Sequence, residues 1–275
     1  MASRGKRPQM TLTVTPTAIL PQCLGSVWTV ADTDALAEVC AQILIGRALH
    51  AATILDGVHP AGTPSIVSAA LKEKLRLELH PETDPKVWHR DGLLFEVISW
   101  VAARITATAN DAISDPHLKA TNQGTDCVKV TIDPMTRTLA RATVYEYKCT
   151  TNWRRLFSQD VLAAFREYVT GERDNQLAQA AITLLIGLGF TPAERSAAYD
   201  DLVRVRPLAF QASLTVVPSG FSADQRLALF AGYDAIGGDV KTRGGNTMPL
   251  DDVRGWFASF SALVWANIEA FDVRR

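Results

Sequence analysis

Two segments near the middle of the chain have the composition of β-strands and are separated by a turn-forming segment. The first strand begins near Asp126 and the second ends near Lys148, with the loop Pro134 to Thr138 between them. Partners in an antiparallel pair have residue numbers with a constant sum. A sum of 272 closes the hairpin through this loop and places Asp126 opposite Glu146. These few residues constrain the fold more than any other part of the chain.

The same pairing predicts a charged end on one face of the hairpin. Side chains alternate along a strand, so Asp126 shares a face with Val128, and Val144 shares it with Glu146 and Lys148. This face is apolar until its last positions, where two carboxylates and one ammonium group meet. Charge at the end of an apolar strand face indicates the edge of an active site, and a surface salt bridge between strands is the alternative.

The chemistry of these residue types favours metal-dependent hydrolysis of phosphodiester bonds. Mg²⁺ takes oxygen ligands and keeps several waters, so one or two carboxylates and a substrate phosphate can hold it. We expect Asp126 and Glu146 to bind Mg²⁺ (or Mn²⁺), with the backbone carbonyl of Tyr147 as a further ligand. Lys148 would orient the attacking water or stabilise developing charge.

The triplet Glu146-Tyr147-Lys148 is not specific by itself. A carboxylate two residues before a lysine also occurs at Asp84-Pro85-Lys86 and at Asp239-Val240-Lys241. Proline and glycine residues surround these two triplets and predict loops, including a flexible basic loop over Gly238 to Gly245. Only Glu146 and Lys148 lie on a predicted strand with an aspartate-bearing partner.

Gly124-Thr125-Asp126, the hairpin, Glu146-Tyr147-Lys148 and the helix that follows resemble the PD-(D/E)XK, or restriction-endonuclease-like, nuclease superfamily. Thr125 stands where that family has proline. The resemblance implies an α/β fold with a mixed central sheet flanked by helices. It also implies an acidic residue on the first helix, here Glu96, and a glutamine from a later helix, here Gln176 or Gln179. A solvated helix face is the alternative for all three.

Within the superfamily, residues 86 to 190 resemble the nuclease subunit of the Hachiman anti-phage defence systems. This narrower resemblance includes Pro116-His117-Leu118-Lys119 besides the motif itself. It implies a DNA substrate, antiviral defence, and a helicase or sensor subunit as partner. The alternative function is a non-catalytic module with the same fold, which binds nucleic acid or forms a complex.

Local charge favours a polyanionic partner. From Asp115 to Arg155 there are seven basic and four acidic residues, and without the three proposed site residues this becomes six against two. The whole chain has a net charge of −1. Phosphate backbones attract such basic clusters, although ordinary surface charge is equally compatible. The expected nucleic-acid contacts are Lys119, Arg154, Arg155, Lys241 and Arg243.

The rest of the sequence predicts a mostly helical N-terminal extension over residues 1–80 and the nuclease-like domain over residues 81–275, or one continuous domain. The four cysteines lack the CxxC spacing of zinc or iron–sulfur sites. The apolar segments are short or broken by polar residues, which predicts buried helices and no membrane span. A cytoplasmic location follows as an expectation.

Overall fold

A seven-stranded mixed sheet lies at the centre of the protein, with helices on both of its faces. The computed structural model describes residues 11–58, 66–116, 125–218 and 220–274. Its strands are β1 (Leu12–Ile19), β2 (Cys23–Val30), β3 (Ile66–Ser68), β4 (Asp111–Ile113), β5 (Cys127–Ile132), β6 (Leu139–Lys148), β7 (Leu208–Val216), β8 (Arg243–Pro249) and β9 (Asp272–Arg274). The sheet order is β1-β2-β8-β7-β6-β5-β4, while β3 and β9 form a separate parallel pair. The predicted α/β class, with a mixed sheet between helices, is confirmed.

The helices form two layers, one on each face of the sheet. They are α1 (Thr33–Leu44), α2 (Ala48–Leu55), α3 (Ala69–Leu79), α4 (Asp84–Ile105), α5 (Trp153–Leu156), α6 (Leu162–Thr170), α7 (Asp174–Gly187), α8 (Pro192–Arg204), α9 (Ala223–Leu229) and α10 (Val253–Glu269). Helices α1 to α4 and α10 cover what we call the first face, and α5 to α9 cover the second face. None of the helices in the described ranges has both the length and the apolar character needed to cross a membrane.

Strand β6 lies between an antiparallel neighbour, β5, and a parallel neighbour, β7. Tyr145 and Tyr147 pack into the core of the first face, whereas Ala142 and Val144 pack into the core of the second. This alternation follows from the pleat of a strand. The ten residues of β6 therefore contribute to both cores.

The predicted register of the β5–β6 hairpin is confirmed over most of its length. Cys127 pairs with Tyr145, and the pairing keeps the sum of 272 until a register shift beyond Thr131. After that shift Ile132 pairs with Leu139, so the loop begins at Asp133 and is one residue longer than predicted. The Asp133 carboxylate accepts backbone N–H groups from the loop, which stabilises the longer turn.

The N-terminal segment adds strands to the central sheet. β1 and β2 form an antiparallel hairpin, and β2 pairs in parallel with β8. The described part of residues 1–80 therefore begins with strands and not with helices, although α1, α2 and α3 follow. The prediction of a mostly helical extension did not include β2, which pairs with β1 on one edge and with β8, more than two hundred residues away in sequence, on the other. A domain division at residue 80 stays a prediction.

The predicted Gly-rich loop ends earlier than expected, because Gly244 and Gly245 belong to the inner strand β8. Glycine is needed there for close approach of the backbones. A Cβ atom on Gly25 of β2 would lie 1.8 Å from the carbonyl oxygen of Gly245. The flexible-loop prediction for residues 243–245 is therefore wrong, and the glycines allow β2 and β8 to pair.

We predict that Gly25→Ala destabilises the protein by about 2–3 kcal/mol, because the added methyl group overlaps the backbone of β8. Thermal and urea unfolding of the purified chain would measure this loss. Gly92→Ala is the matched control, since a Cβ there meets no atom within 4 Å. Alanine in the interior of α4 should be neutral or stabilising by up to ~1 kcal/mol. Equal unfolding midpoints for Gly25→Ala and the wild type would contradict the close approach.

Candidate metal-binding site at the end of strand β6

Asp126 immediately precedes β5 and is fixed to the end of β6 by a hydrogen bond. The backbone N–H of Tyr147 donates to its Oδ2 at 2.6 Å. The N–H and C=O groups of one strand residue point towards the same neighbouring strand. The Tyr147 carbonyl is therefore directed towards the β5 side as well. The carboxylate of Asp126 and the carbonyl proposed as its partner ligand lie on the same edge of β6.

Glu146 and Lys148 form an ion pair at the same end of the strand. The Lys148 Nζ lies 3.4 Å from Oε2 of Glu146, and only 4% of Glu146 is exposed. Their positions in β6 continue the alternation of Ala142 and Val144, which places both side chains on the second face. The predicted change from apolar to charged residues along this face is therefore present.

The electrostatics of the site show that the three predicted residues influence one another. Burial raises the pKa of Glu146 to about 7, and the charge of Asp126 acts in the same direction, whereas Lys148 opposes both. Burial alone would lower the pKa of Lys148, but Glu146 and Asp126 outweigh it and raise that pKa. Lys148 is therefore a cation at neutral pH. The neighbouring carboxyl group of Glu146 is harder to ionise than usual, because burial and the charge of Asp126 disfavour its anion.

The donor set fits a hard divalent cation. Glu146 is buried and Asp126 is half-buried, and two carboxylates that repel each other would both be stabilised by Mg²⁺, which prefers oxygen ligands. Within the described ranges, no group of three or more His, Cys, Asp and Glu side chains is arranged to hold a metal ion. A cation here would use Asp126, Glu146 and the Tyr147 carbonyl, with water or substrate oxygens completing its coordination.

Sequence reasoning missed a cation and an aromatic residue beside the site. Arg173, which precedes α7, lowers the pKa of Glu146 and lies 5.5 Å from the centre of the Tyr168 ring. Tyr168 is buried, and its hydroxyl is hydrogen-bonded to that of Thr125, next to Asp126. Arg173 also pairs with Glu167 at 2.5 Å. No motif in the sequence marks Arg173, because only the packing of α6 and α7 brings it close.

The other proposed active-site residues lie on helices α4 and α7. Glu96 is half-buried on α4 and lies close enough to Cys127 to contribute, after burial, to the raised pKa of that thiol. It approaches the Asp126 end of β5 from the first face. Gln176 and Gln179 are exposed on α7. The roles of all three stay predictions.

The proposed nucleic-acid contacts also differ in their surroundings. Lys119 lies outside the described residues. Arg154 is exposed, but its guanidinium donates to the carbonyls of Leu229 and Ala231, while exposed Arg155 donates to Gln159. Both arginines lie just beyond β6, on the side of the sheet that carries Lys148. Contact with a phosphate backbone stays a prediction for each.

Lys241 and Arg243 have opposite environments. Lys241 is exposed in a short 3₁₀ turn, whereas Arg243 is 5% exposed. The guanidinium of Arg243 donates to four backbone carbonyls, which belong to Pro21, Gln22, Gly237 and Gly238. These bonds fix two loops to the start of β8. The basic surplus is also smaller than the sequence indicated, because Lys129 pairs with Asp111 and Arg137 with Glu194.

We predict that Glu146→Gln stabilises the metal-free protein increasingly as the pH rises from 5 to 8. The unfolded chain loses this proton near its ordinary pKa of about 4.3, whereas the folded chain keeps it until about pH 7. Wild-type stability therefore falls through that window, and the full difference of roughly 4 kcal/mol is reached above it. Thermal unfolding in EDTA should show a gap that is several degrees wider at pH 8 than at pH 5.

Glu82→Gln is the control for this experiment, since Glu82 is exposed in the segment before α4. Its unfolding temperature relative to the wild type should not change across the same pH range. A pH-independent gap for Glu146→Gln would show that the Glu146 carboxyl ionises as easily in the folded chain as in the unfolded one.

Comparison with known proteins identifies no relative of this chain. No protein-family model matches the chain, and neither the curated proteins nor the solved structures contain a significant match. A functional proposal therefore rests on the residues at the end of β6 and on the resemblance of their motif.

Proposed function

We propose that this chain is a metal-dependent nuclease that hydrolyses phosphodiester bonds in DNA. The observation that carries the proposal is the meeting of Asp126, Glu146 and Lys148 at the end of β6, where burial and mutual repulsion raise the pKa of Glu146. Strongly perturbed carboxyl groups beside a specific charged partner are concentrated at functional sites. A surface salt bridge would not require one carboxylate to be buried beside another.

Each residue of the site has a separate role in the proposed hydrolysis. A bound Mg²⁺ or Mn²⁺ would polarise the phosphate and lower the pKa of a bound water. Asp126, held by the N–H of Tyr147, and Glu146 supply the negative charge that retains such a cation. Lys148 remains protonated and presents an ammonium group to the phosphate, where it stabilises charge developing in the transition state. Arg173 adds a second positive charge on the Glu146 side.

The architecture supports a restriction-endonuclease-like core. The mixed sheet lies between two helical layers, and α4 precedes the strands that carry Asp126 and Glu146. The hairpin β1–β2 at the far edge is an addition to that core. A role in anti-phage defence, with a helicase or sensor subunit as partner, rests on the narrower resemblance and forms part of the same proposal.

A DNA substrate is consistent with the charges around the site. Exposed Arg154 and Arg155 follow β6 directly, and Lys148 and Arg173 lie within the site itself. Two carboxylates without a cation would repel a phosphate backbone. A purely DNA-binding surface would therefore not benefit from Asp126 and Glu146, which favours the enzyme over the non-catalytic alternative.

We predict that the purified chain cleaves DNA in Mg²⁺ or Mn²⁺ and that Asp126→Asn, Glu146→Gln and Lys148→Met each reduce the rate by about 100-fold or more. Gel assays on single- and double-stranded substrates would measure the rates. Glu82→Gln and Lys74→Met remove comparable charges from exposed positions and should cleave at the wild-type rate. DNA binding without cleavage, unchanged in Lys148→Met, would instead establish the non-catalytic alternative.

We also predict that Mg²⁺ raises the unfolding temperature of the wild type. A millimolar dissociation constant gives about 1.4 kcal/mol at 10 mM Mg²⁺, which corresponds to a few degrees. Asp126→Asn and Glu146→Gln should abolish this shift. Lys148→Met should keep or enlarge it, because the substitution removes a cation that competes for the same carboxylates. An equal Mg²⁺ shift in all four proteins would place the cation elsewhere.

A further inference from the structure

A second concave site lies on the first face of the sheet, opposite to the side on which Glu146 lies. It is a pocket of about 320 Å³ between the C-terminal half of α4 and the strands β2, β5, β6, β7 and β8. Tyr145 contributes to its wall, whereas the next residue, Glu146, belongs to the second face. The pocket and the proposed nuclease site are therefore separated by β6.

The floor of the pocket is a network of polar side chains from three parallel strands. Ser26 Oγ donates to Oδ1 of Asn246 at 2.8 Å and accepts from Nε1 of Trp28 at 2.8 Å. The Nδ2 of Asn246 donates to Oε1 of Gln211 at 3.1 Å and to Oγ of Ser213 at 3.3 Å. These contacts fix the orientation of both amide groups. The floor is a preorganised hydrogen-bonding surface between elements that are distant in sequence.

Gln211 is the member of this network that has capacity left for a ligand. Its Oε1 accepts from Asn246, and within the described part of the chain its Nε2 makes no hydrogen bond. The side chain is half-buried and lines the pocket. A Cβ on Gly244 would lie 1.9 Å from its Oε1, so the glycine leaves the space that this side chain occupies. Gln211 therefore presents two N–H donors at a fixed position.

The charge around the pocket is positive. Lys129 and Lys241 are the cations whose side chains can face the pocket, and none of the described lining residues is acidic. Arg243 also lines the pocket, but its guanidinium lies on the second face near Cys23 and Tyr233, where it donates to backbone carbonyls. Lys129 has Asp111 at 3.7 Å, while Lys241 is exposed at the rim. An anionic group is the complement of this rim.

We propose that this pocket binds a nucleoside monophosphate, with the base edge at Gln211 and the phosphate at Lys241. A fixed amide provides the donor and acceptor groups that recognise base edges, and lysine recognises phosphate as a point charge. The volume lies at the lower end of small-molecule sites, which suits one nucleotide and not a duplex. Tyr145, Trp28 and the apolar side chains of β1 and β2 supply the remaining wall.

Isothermal titration calorimetry of the full chain with the 5′-monophosphates of adenosine, guanosine, cytidine and uridine tests this proposal. The buffer contains EDTA, because phosphate binding at the Asp126–Glu146 site requires a divalent cation. At least one nucleotide should bind, and Gln211→Ala and Lys241→Ala should each weaken it about five- to tenfold. Lys74→Ala removes an exposed cation from α3 and should bind as the wild type does.

Two further ligands separate base recognition from simple charge attraction. Inorganic phosphate and the free nucleoside should each bind at least tenfold more weakly than the nucleotide, because each lacks one of the two recognised groups. Phosphate binding as tightly as every nucleotide would overturn the proposal. Binding that requires Mg²⁺ and disappears in Glu146→Gln would also overturn it, because the nucleotide would then occupy the nuclease site.

The result does not depend on the proposed nuclease activity. Nucleotide binding in EDTA with the expected loss in Gln211→Ala supports the pocket even if no DNA is cleaved. If Gln211→Ala does not fold, Lys241→Ala decides alone, since that side chain is exposed. Failure of all four nucleotides to bind, or equal affinity in Lys241→Ala, would overturn the proposal and leave the nuclease assignment unaffected.

Discussion

The alternation of side chains along β6 is the constraint on which the rest of the structure depends. The strand is hydrogen-bonded to β5 on one edge and to β7 on the other, and both pairings fix its register. A slip of one residue would move every side chain to the opposite face. Val144 would leave the core of the second face, and Glu146 would enter the apolar core beneath α4. Packing of two cores therefore also fixes the position of the charged residues.

At the end of β6 the apolar packing stops, and the carboxylates of Asp126 and Glu146 repel each other. A carboxyl group with a pKa of about 7 is ionised at a cost, which Lys148 and Arg173 only partly offset. Asp126 cannot turn away without giving up its hydrogen bond to the N–H of Tyr147. Such local conflict is unusual in a stable fold and is expected where function requires it. A divalent cation would convert the repulsion between the carboxylates into a shared attraction.

The hairpin and its charged end could be predicted from sequence because they depend on local information. Strand alternation and a constant residue sum suffice to place Asp126 opposite Glu146, whereas the register shift beyond Thr131 has no local signal. Arg173 and the polar pocket were not predictable in the same way. Ser26 reaches Asn246 only because β2 pairs with β8, which is distant in sequence, and Gly244 has the local sequence context of a loop residue.

Strand β6 lies between the pocket on the first face and the Asp126–Glu146 site on the second. Its pairing with β5 and β7 decides whether a ligand at one site can affect the other. Energetic coupling between sites needs an element with two arrangements that both ligands bias. A strand bonded on both edges and packed on both faces has one arrangement that satisfies its backbone. Tyr145 can therefore contact a ligand without displacing Glu146. Occupancy of the pocket stabilises the folded chain by mass action, whereas a change in affinity at Asp126 and Glu146 would require β6 to leave one of its neighbours.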